Sequence, residues 1–338
     1  MRGIAGVWRH LHASPSEGPG WKSQRIAEEA PCPLRAAIGE PSGEPAILCE
    51  VSSMAVEAAV EYPEGRGFRL YPECVSPGPH GTVRLCLVLA DQAYQEMFSV
   101  LAEDIVDAVA AASDHATAVR RMLSRLRAWQ AFMRRGTNGL SSEEQTGLLA
   151  ELLTLETLLD GGLEVDAAVS GWTGALSGLR DFVIGAAEIE VKAGVGTHAS
   201  RFHVSHLDQL DDSTVHTLLL FHYALLEDAG GVTLPEVVAR LRNQMEAAGP
   251  VGASMFENLL LAAGYATLDE GRYQRRLSVR KRRIFEVRDE FPRLLRQEVR
   301  TGVVDAGYAV DVTACLPYEI PNADAMSRIT GRIFHART

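Results

Sequence analysis

The chain has 338 residues, 46% of them hydrophobic, and a formal net charge of −11; that length is ample for a large core and suits about two domains of roughly 100–200 residues each. The acidic balance argues against a protein that binds nucleic acid over its whole surface, so such contacts must be local or supported by a partner. The five scattered cysteines (Cys32, Cys49, Cys74, Cys86 and Cys315) form no C-x-x-C pair, no stretch reaches the ~18 apolar residues of a membrane span, and an amino terminus broken by Arg2, Trp8, Arg9 and His10 lacks a signal-peptide core, so a reduced, soluble, cytoplasmic chain is expected.

Residues up to about 90 read as β-rich. Runs at 46–51, 68–71 and 82–89 are strand candidates, separated by Gly- and Pro-rich punctuation at 63–67 and 76–81. Helices are predicted at 94–112 and 115–134, and the expected domain boundary is 135–139. Next, Ser141-Ser142-Glu143-Glu144 supplies a serine cap and early acids to a helix whose Leu148, Leu152, Leu155 and Leu159 form a core stripe. Glu151 stands beside that stripe. An unpaired carboxylate among leucines is costly, so Glu151 either reaches water at the boundary or is an acid offered to a polar site. Gly171, Gly174 and Gly178 around Trp172 mark an ordered, tightly turning loop. That loop either positions a bound backbone or is a tryptophan-plugged turn.

Asp181-Phe182-Val183-Ile184 opens as a short apolar strand, Gly185-Ala186-Ala187 can reverse it, and Glu188-Ile189-Glu190-Val191-Lys192 alternates charged and apolar residues throughout. Side chains on a strand alternate faces, so Glu190 and Lys192 point the same way. Pairing of the two strands sets Asp181 beside Glu190. Two carboxylates and one ammonium around a point suit phosphodiester hydrolysis, with hard oxygens for Mg²⁺ or Mn²⁺ and a cation for the nucleophile or the developing charge. Taken alone, the same alternation also describes a solvated edge strand; the neighbouring Glu151 and the tryptophan loop favour the metal reading.

Downstream, Ser205 is a candidate cap for a helix that carries Gln209 in its first turn. His203 and His206 have no cysteine or further histidine to complete a zinc set. Long helices are predicted at 213–228, 234–248 and 254–263, the last two joined by 249–252 in a unit resembling a helix-turn-helix, for which packing is the favoured role. The run 272–283 then carries seven basic residues in twelve. It is either a phosphate-binding edge or a solvated strand paired with acids such as Glu286, Asp289 and Glu290; its contrast with the acidic chain favours the first.

The chain resembles the PD-(D/E)XK nuclease superfamily, of restriction-endonuclease-like fold, and more narrowly a family of uncharacterised bacterial PD-(D/E)XK proteins linked to restriction and phage-defence gene clusters. The match is carried by Gly147-Leu148-Leu149-Ala150-Glu151-Leu152, Trp172, Asp181-Phe182, Glu190-Val191-Lys192 and Gln209-Leu210. Weaker agreement runs through 89–91, 97–98, 126–129, 291–293 and 308–311. The resemblance implies that Asp181 and Glu190 ligate Mg²⁺ (or Mn²⁺), that the Val191 carbonyl is a further ligand, and that Glu151 is the helix-borne acid. It implies that Lys192 orients or activates the attacking water and that Gln209 is a polar residue facing the same site. Arg180 stands where the motif's name places a proline.

The expected architecture is α+β or α/β. A β-rich domain ending in two helices fills 1–135, a restriction-endonuclease-like core with a mixed sheet flanked by helices fills 140–211, and a helical region with the basic strand fills 212–338. The implied activity is metal-dependent DNA cleavage in a defence system, with a homodimer and an ATPase- or helicase-type partner as candidate associations. The alternative is an inactive interaction module in a multi-subunit complex with such a partner.

Overall fold

The computed structural model describes residues 3–15, 18–56, 62–75, 81–135, 139–176 and 178–331. The punctuation expected at 76–80, the boundary at 136–138 and Ser177 of the tryptophan loop lie outside them. The chain divides into two compact units, Met1–Thr137 and Asn138–Thr338.

The first unit begins with helix α1 (Ile4–Ala13) and strands β1 (Gly20–Ile26), β2 (Leu34–Glu40), β3 (Glu44–Ser52), β4 (Phe68–Cys74) and β5 (Thr82–Leu89), followed by helices α2 (Gln95–Ala110) and α3 (His115–Arg135). The strands form an antiparallel sheet in the order β1-β2-β3-β5-β4. From β3 onward these elements lie where the sequence predicts them. β2 reads poorly as a strand because Ala36, Ala37 and Ile38 are all buried, which removes the two-residue period. The Trp8 indole donates to the Ala46 carbonyl at 3.0 Å and its ring stacks on Phe98, fastening α1 to the sheet and to α2.

The second unit contains α4 (Ser142–Asp160), α5 (Val165–Ser170), β6 (Phe182–Ile184), β7 (Ala187–Val195), β8 (Arg201–Val204), β9 (Thr217–Val232), α6 (Leu234–Ala248), α7 (Pro250–Ala262), β10 (Leu277–Glu286), β11 (Tyr308–Asp311) and α8 (Asn322–Thr330). Its central sheet runs β10-β9-β7-β6 and is mixed: β6 and β10 are antiparallel to their neighbours, whereas β7 and β9 are parallel. One face packs on α4, α6 and α7 through Leu152, Leu155, Phe182, Ile189, Phe221, Tyr223, Val238 and Phe256. The other packs on the small β8–β11 pair through Phe202, Val204, Leu218, Leu220, Phe285 and Val310. Each fully buried large side chain of these layers contributes about 1.5–3 kcal/mol.

Local chemistry sets the ends of the key elements. Ser141 and Glu144 close a reciprocal capping box at the start of α4, and Thr233 and Glu236 do the same for α6, with Pro235 in its first turn. The leucine stripe of α4 is buried, as its spacing requires. Gly185, at φ +59, turns β6 into β7, where a side chain would be strained.

Several expectations for the carboxy-terminal third are corrected. The helix expected at 213–228 is β9, a strand buried on both faces, so its apolar run shows no alternation. The helix expected after Ser205 is a single 3-10 turn, Leu207–Leu210, with no side-chain cap. Residues 212–338 are therefore not a mainly helical region: β9 and β10 supply half of the central sheet. Pro250 begins α7 instead of lying in a connector, and α6 and α7 are core helices. Among the described residues, no helix is long and apolar enough to cross a membrane.

Candidate active site

The β6–β7 hairpin pairs for only three residues, Phe182 with Ile189 through Ile184 with Ala187. One further backbone bond joins the Asp181 amide to the Ile189 carbonyl at 3.1 Å. Beyond it, among the described residues, that edge of β7 has no strand partner in the sheet. The Val191 amide points to that edge and donates to Asp181 Oδ2 at 2.6 Å. The amide and carbonyl of one strand residue point to the same side, so the Val191 carbonyl faces the open edge beside Asp181.

Glu190 and Lys192 share a face, and Lys192 Nζ lies 2.8 Å from Glu190 Oε1. Both are well covered, with Glu190 only 2% exposed. Lys192 Nζ also donates to Gln209 Oε1 at 3.4 Å, and the same oxygen accepts from the Ser205 amide at 2.7 Å. Gln209 thus meets Lys192 as expected, although it stands on a 3-10 turn.

Glu151, half-buried on α4, is held by Trp172, whose indole donates to Glu151 Oε2 at 2.7 Å. Trp172 is 1% exposed and bridges to Phe182, so the tryptophan loop is the strut that aims the helix-borne acid. Gly174 of that loop explains its glycine content. A Cβ there would stand 2.7 Å from Asp181 Oδ1 and 3.0 Å from Glu151 Oε2. Both carboxylates therefore close on one small space that only a hydrogen at position 174 leaves free.

Electrostatics report the same convergence. Burial, then the charge of Asp181, pushes the Glu151 carboxyl up to about 8, against the opposing Trp172 hydrogen bond. Burial, then Asp181, pushes Glu190 up to about 7, against the pull of Lys192. Burial raises Asp181 too, opposed by the Val191 amide, Lys192 and Arg180. Asp181 thus raises both Glu190 and Glu151, and Glu190 raises Glu151 in turn; buried acids crowded in this way invite a cation.

Among the described residues, no three Asp, Glu, His or Cys side chains form a ready-made metal-holding group. In the structure Glu190 is engaged by Lys192, one oxygen of Asp181 by the Val191 amide, and one oxygen of Glu151 by Trp172. The donor set and the space kept clear by Gly174 nonetheless fit a hard divalent ion, with Asp181, Glu190, Glu151 and the Val191 carbonyl as oxygen donors.

Sequence reasoning did not anticipate the part played by Arg180. It is 3% exposed and donates to the Asp208 and Asp211 carbonyls at 2.6 and 2.8 Å, which pins the turn bearing Gln209. Its Nε lies 3.2 Å from Glu188 but is not aligned as a hydrogen bond. His203 and His206 stay out of the centre; His206 pairs with Asp305. The basic run is largely consumed by internal partners: Arg272 by Asp269, Arg275 by Glu227, Arg276 by Glu236, Arg283 by Glu319, and Arg282 by Thr157 and Asn322. These are not the acids the sequence suggested, since Glu286 pairs with Arg288 and Arg328.

No curated protein and no solved structure matches the chain. Residues 4–313 match the model of a family described as "Putative PD-(D/E)XK family member, (DUF4420)". That span includes Glu151, Trp172, Asp181, Glu190, Lys192 and Gln209, together with the mixed sheet that brings them together. The chain belongs to the DUF4420 family.

Proposed function

We propose that this protein is a Mg²⁺- or Mn²⁺-dependent DNA endonuclease built on a restriction-endonuclease-like core. The family suggests nuclease-like chemistry. The observation that carries the finer reading is the convergence of Glu151 and Asp181 on the space at Gly174, with Glu190 and Lys192 adjoining. Asp181, Glu190, Glu151 and the Val191 carbonyl would hold the ion. When bound, the ion supplies charge stabilisation at the phosphoryl centre.

The chain's own groups divide the remaining work. Lys192, held beside Glu190 and Gln209, would present its ammonium to the attacking water or to charge developing on the phosphate. Gln209 keeps that ammonium from swinging away. Trp172 fixes Glu151, and Arg180 fixes the Gln209 turn. Displacement is in-line and leaves a 5′-phosphate. The setting is a restriction or phage-defence system, with a homodimer or an ATPase- or helicase-type partner helping an acidic chain to engage DNA. Plasmid cleavage with Mn²⁺ is expected in the parent and absent in Lys192→Ala and Asp181→Ala; variants that cut as well as the parent refute the assignment.

The acidic balance of −11 favours a second reading, an inactive interaction module of a defence complex. Calorimetric Mn²⁺ titration separates the two. Saturable binding lost in Glu190→Gln supports the enzyme, and no binding in the parent supports the module.

A further inference from the structure

We infer that a second site on the central sheet, a cleft of about 580 Å³ beside β10, grips the phosphate backbone of DNA outside the catalytic centre. The inference rests on the nuclease reading for the identity of its ligand. The cleft is walled by the turn Gly196–Ser200 and floored by His222, Ala224 and Leu226 of β9, with Arg280, Lys281 and Arg283 of β10 along its rim.

The charge is specific to this place. Five of the seven basic side chains at 272–283 are spoken for within the chain, as described above. Among the described residues, Arg280 and Lys281 have no ion-pair partner, and both are exposed. They are also the two that line the cleft together with Arg283. Consecutive strand residues normally face opposite sides, but the register of β10 against β9 slips between Val279 and Lys281. Such a bulge re-aims a side chain, and here it adds Arg280 to the face that alternation already gives to Lys281 and Arg283.

His222 is a second, independent sign. It is 1% exposed, and among the described residues its buried Nε2 has no hydrogen-bond partner. A well-packed interior rarely leaves such an atom unmatched. Burial, then the charge of Arg283, lowers the imidazole to about 4, so at neutral pH the cleft's net positive charge comes from Arg280 and Lys281. The exposed Leu226 and half-buried Ala224 offer an apolar floor suited to sugar carbons.

The register ties the cleft to the catalytic residues. Lys192 is opposite His222 in the parallel β7–β9 pair, and His222 is opposite Arg283 in the β9–β10 pair. The three therefore share one sheet face, and the Phe202 ring lies 6.0 Å from that of His222. Two strand spacings put Arg283, the near end of the rim, about 10 Å from Lys192, or roughly three steps at ~3.4 Å per nucleotide of a duplex strand, with Lys281 and Arg280 further along β10.

The test measures binding of the full chain to a short fluorescein-labelled DNA duplex in EDTA, across a salt series, so that no cleavage intervenes. Removing two phosphate contacts in Arg280→Gln/Lys281→Gln should make the slope of log K against log salt shallower by about 1.8, and weaken binding by roughly tenfold to a hundredfold at ~0.1 M salt. Arg276→Gln, which removes a cation already paired with Glu236, should leave the slope unchanged. Thermal unfolding of the double variant should match the parent, because both side chains are exposed. An unchanged slope in the double variant, an equal loss in Arg276→Gln, or no binding by the parent overturns the cleft. A parent that binds through Arg280 and Lys281 yet never cuts with Mn²⁺ overturns the catalytic reading alone.

Discussion

Replacing Glu190 by glutamine should make the metal-free protein more stable, and the gain should grow with pH. Burial and then Asp181 raise this carboxyl from its ordinary 4.5 to about 7 in the folded chain. Between those values the folded chain holds a proton that the unfolded chain has released, so stability falls as pH rises from about 4.5 and levels off above about 7. The gap is worth about 3 kcal/mol at ~1.36 kcal/mol per pH unit. Glutamine imitates the protonated acid and can still accept from Lys192. In EDTA, urea denaturation of Glu190→Gln and the parent should coincide near pH 4, differ by about 2 kcal/mol at pH 6 and by about 3 kcal/mol at pH 8. Saturating Mn²⁺ should narrow the difference, since a ligand at a hundredfold its Kd adds about 2.7 kcal/mol to the parent alone. Parallel stability curves from pH 4.5 to 8 would refute the reasoning, because they would mean that Glu190 does not ionise against neighbouring acids.

Three other outcomes are expected. Gly174→Ala places a methyl 2.7 Å from Asp181 Oδ1 and 3.0 Å from Glu151 Oε2, so Mn²⁺ affinity by calorimetry should fall at least tenfold, roughly the cost of disturbing support around a metal site; an unchanged Kd means the two acids do not share that space. Trp172→Phe keeps a ring against Phe256 but deletes the donor to Glu151; a loss of about tenfold to a hundredfold in affinity is expected, with the pH midpoint of binding moved upward because that hydrogen bond opposes protonation. Mn²⁺ affinity in the parent should climb between pH 6 and 8, as Glu190 (about 7) and Glu151 (about 8) lose their protons; titration in buffers of different ionisation enthalpy should detect proton release at pH 7, and its absence there would contradict the raised carboxyls.

The legible parts of the sequence were those with a strong local period or cap. The capped leucine helix α4, the apolar run of β5 and the Glu-x-Lys alternation of β7 each declare their geometry within about ten residues. β9 does not, because Leu218 through Leu225 pack against a layer on each side and both faces had to be apolar; such a run resembles a buried helix until its partners are known. The acids and the lysine of the centre were legible as a motif. Their support was not: Arg180 reaches carbonyls roughly thirty residues away, and the cleared space at Gly174 depends on α4 and β6 meeting. Non-local contacts of this kind leave no period to read.

The brevity of β6 has a consequence for how this centre could change. Had the hairpin zipped two residues further, the Val191 peptide would be locked into a ladder with a neighbouring strand, and Asp181 would lose the donor that now aims it. Lengthening this hairpin in phase should therefore leave a sturdier fold in which the proposed ion loses its place, a route from the proposed nuclease to a scaffold that spares every acidic side chain.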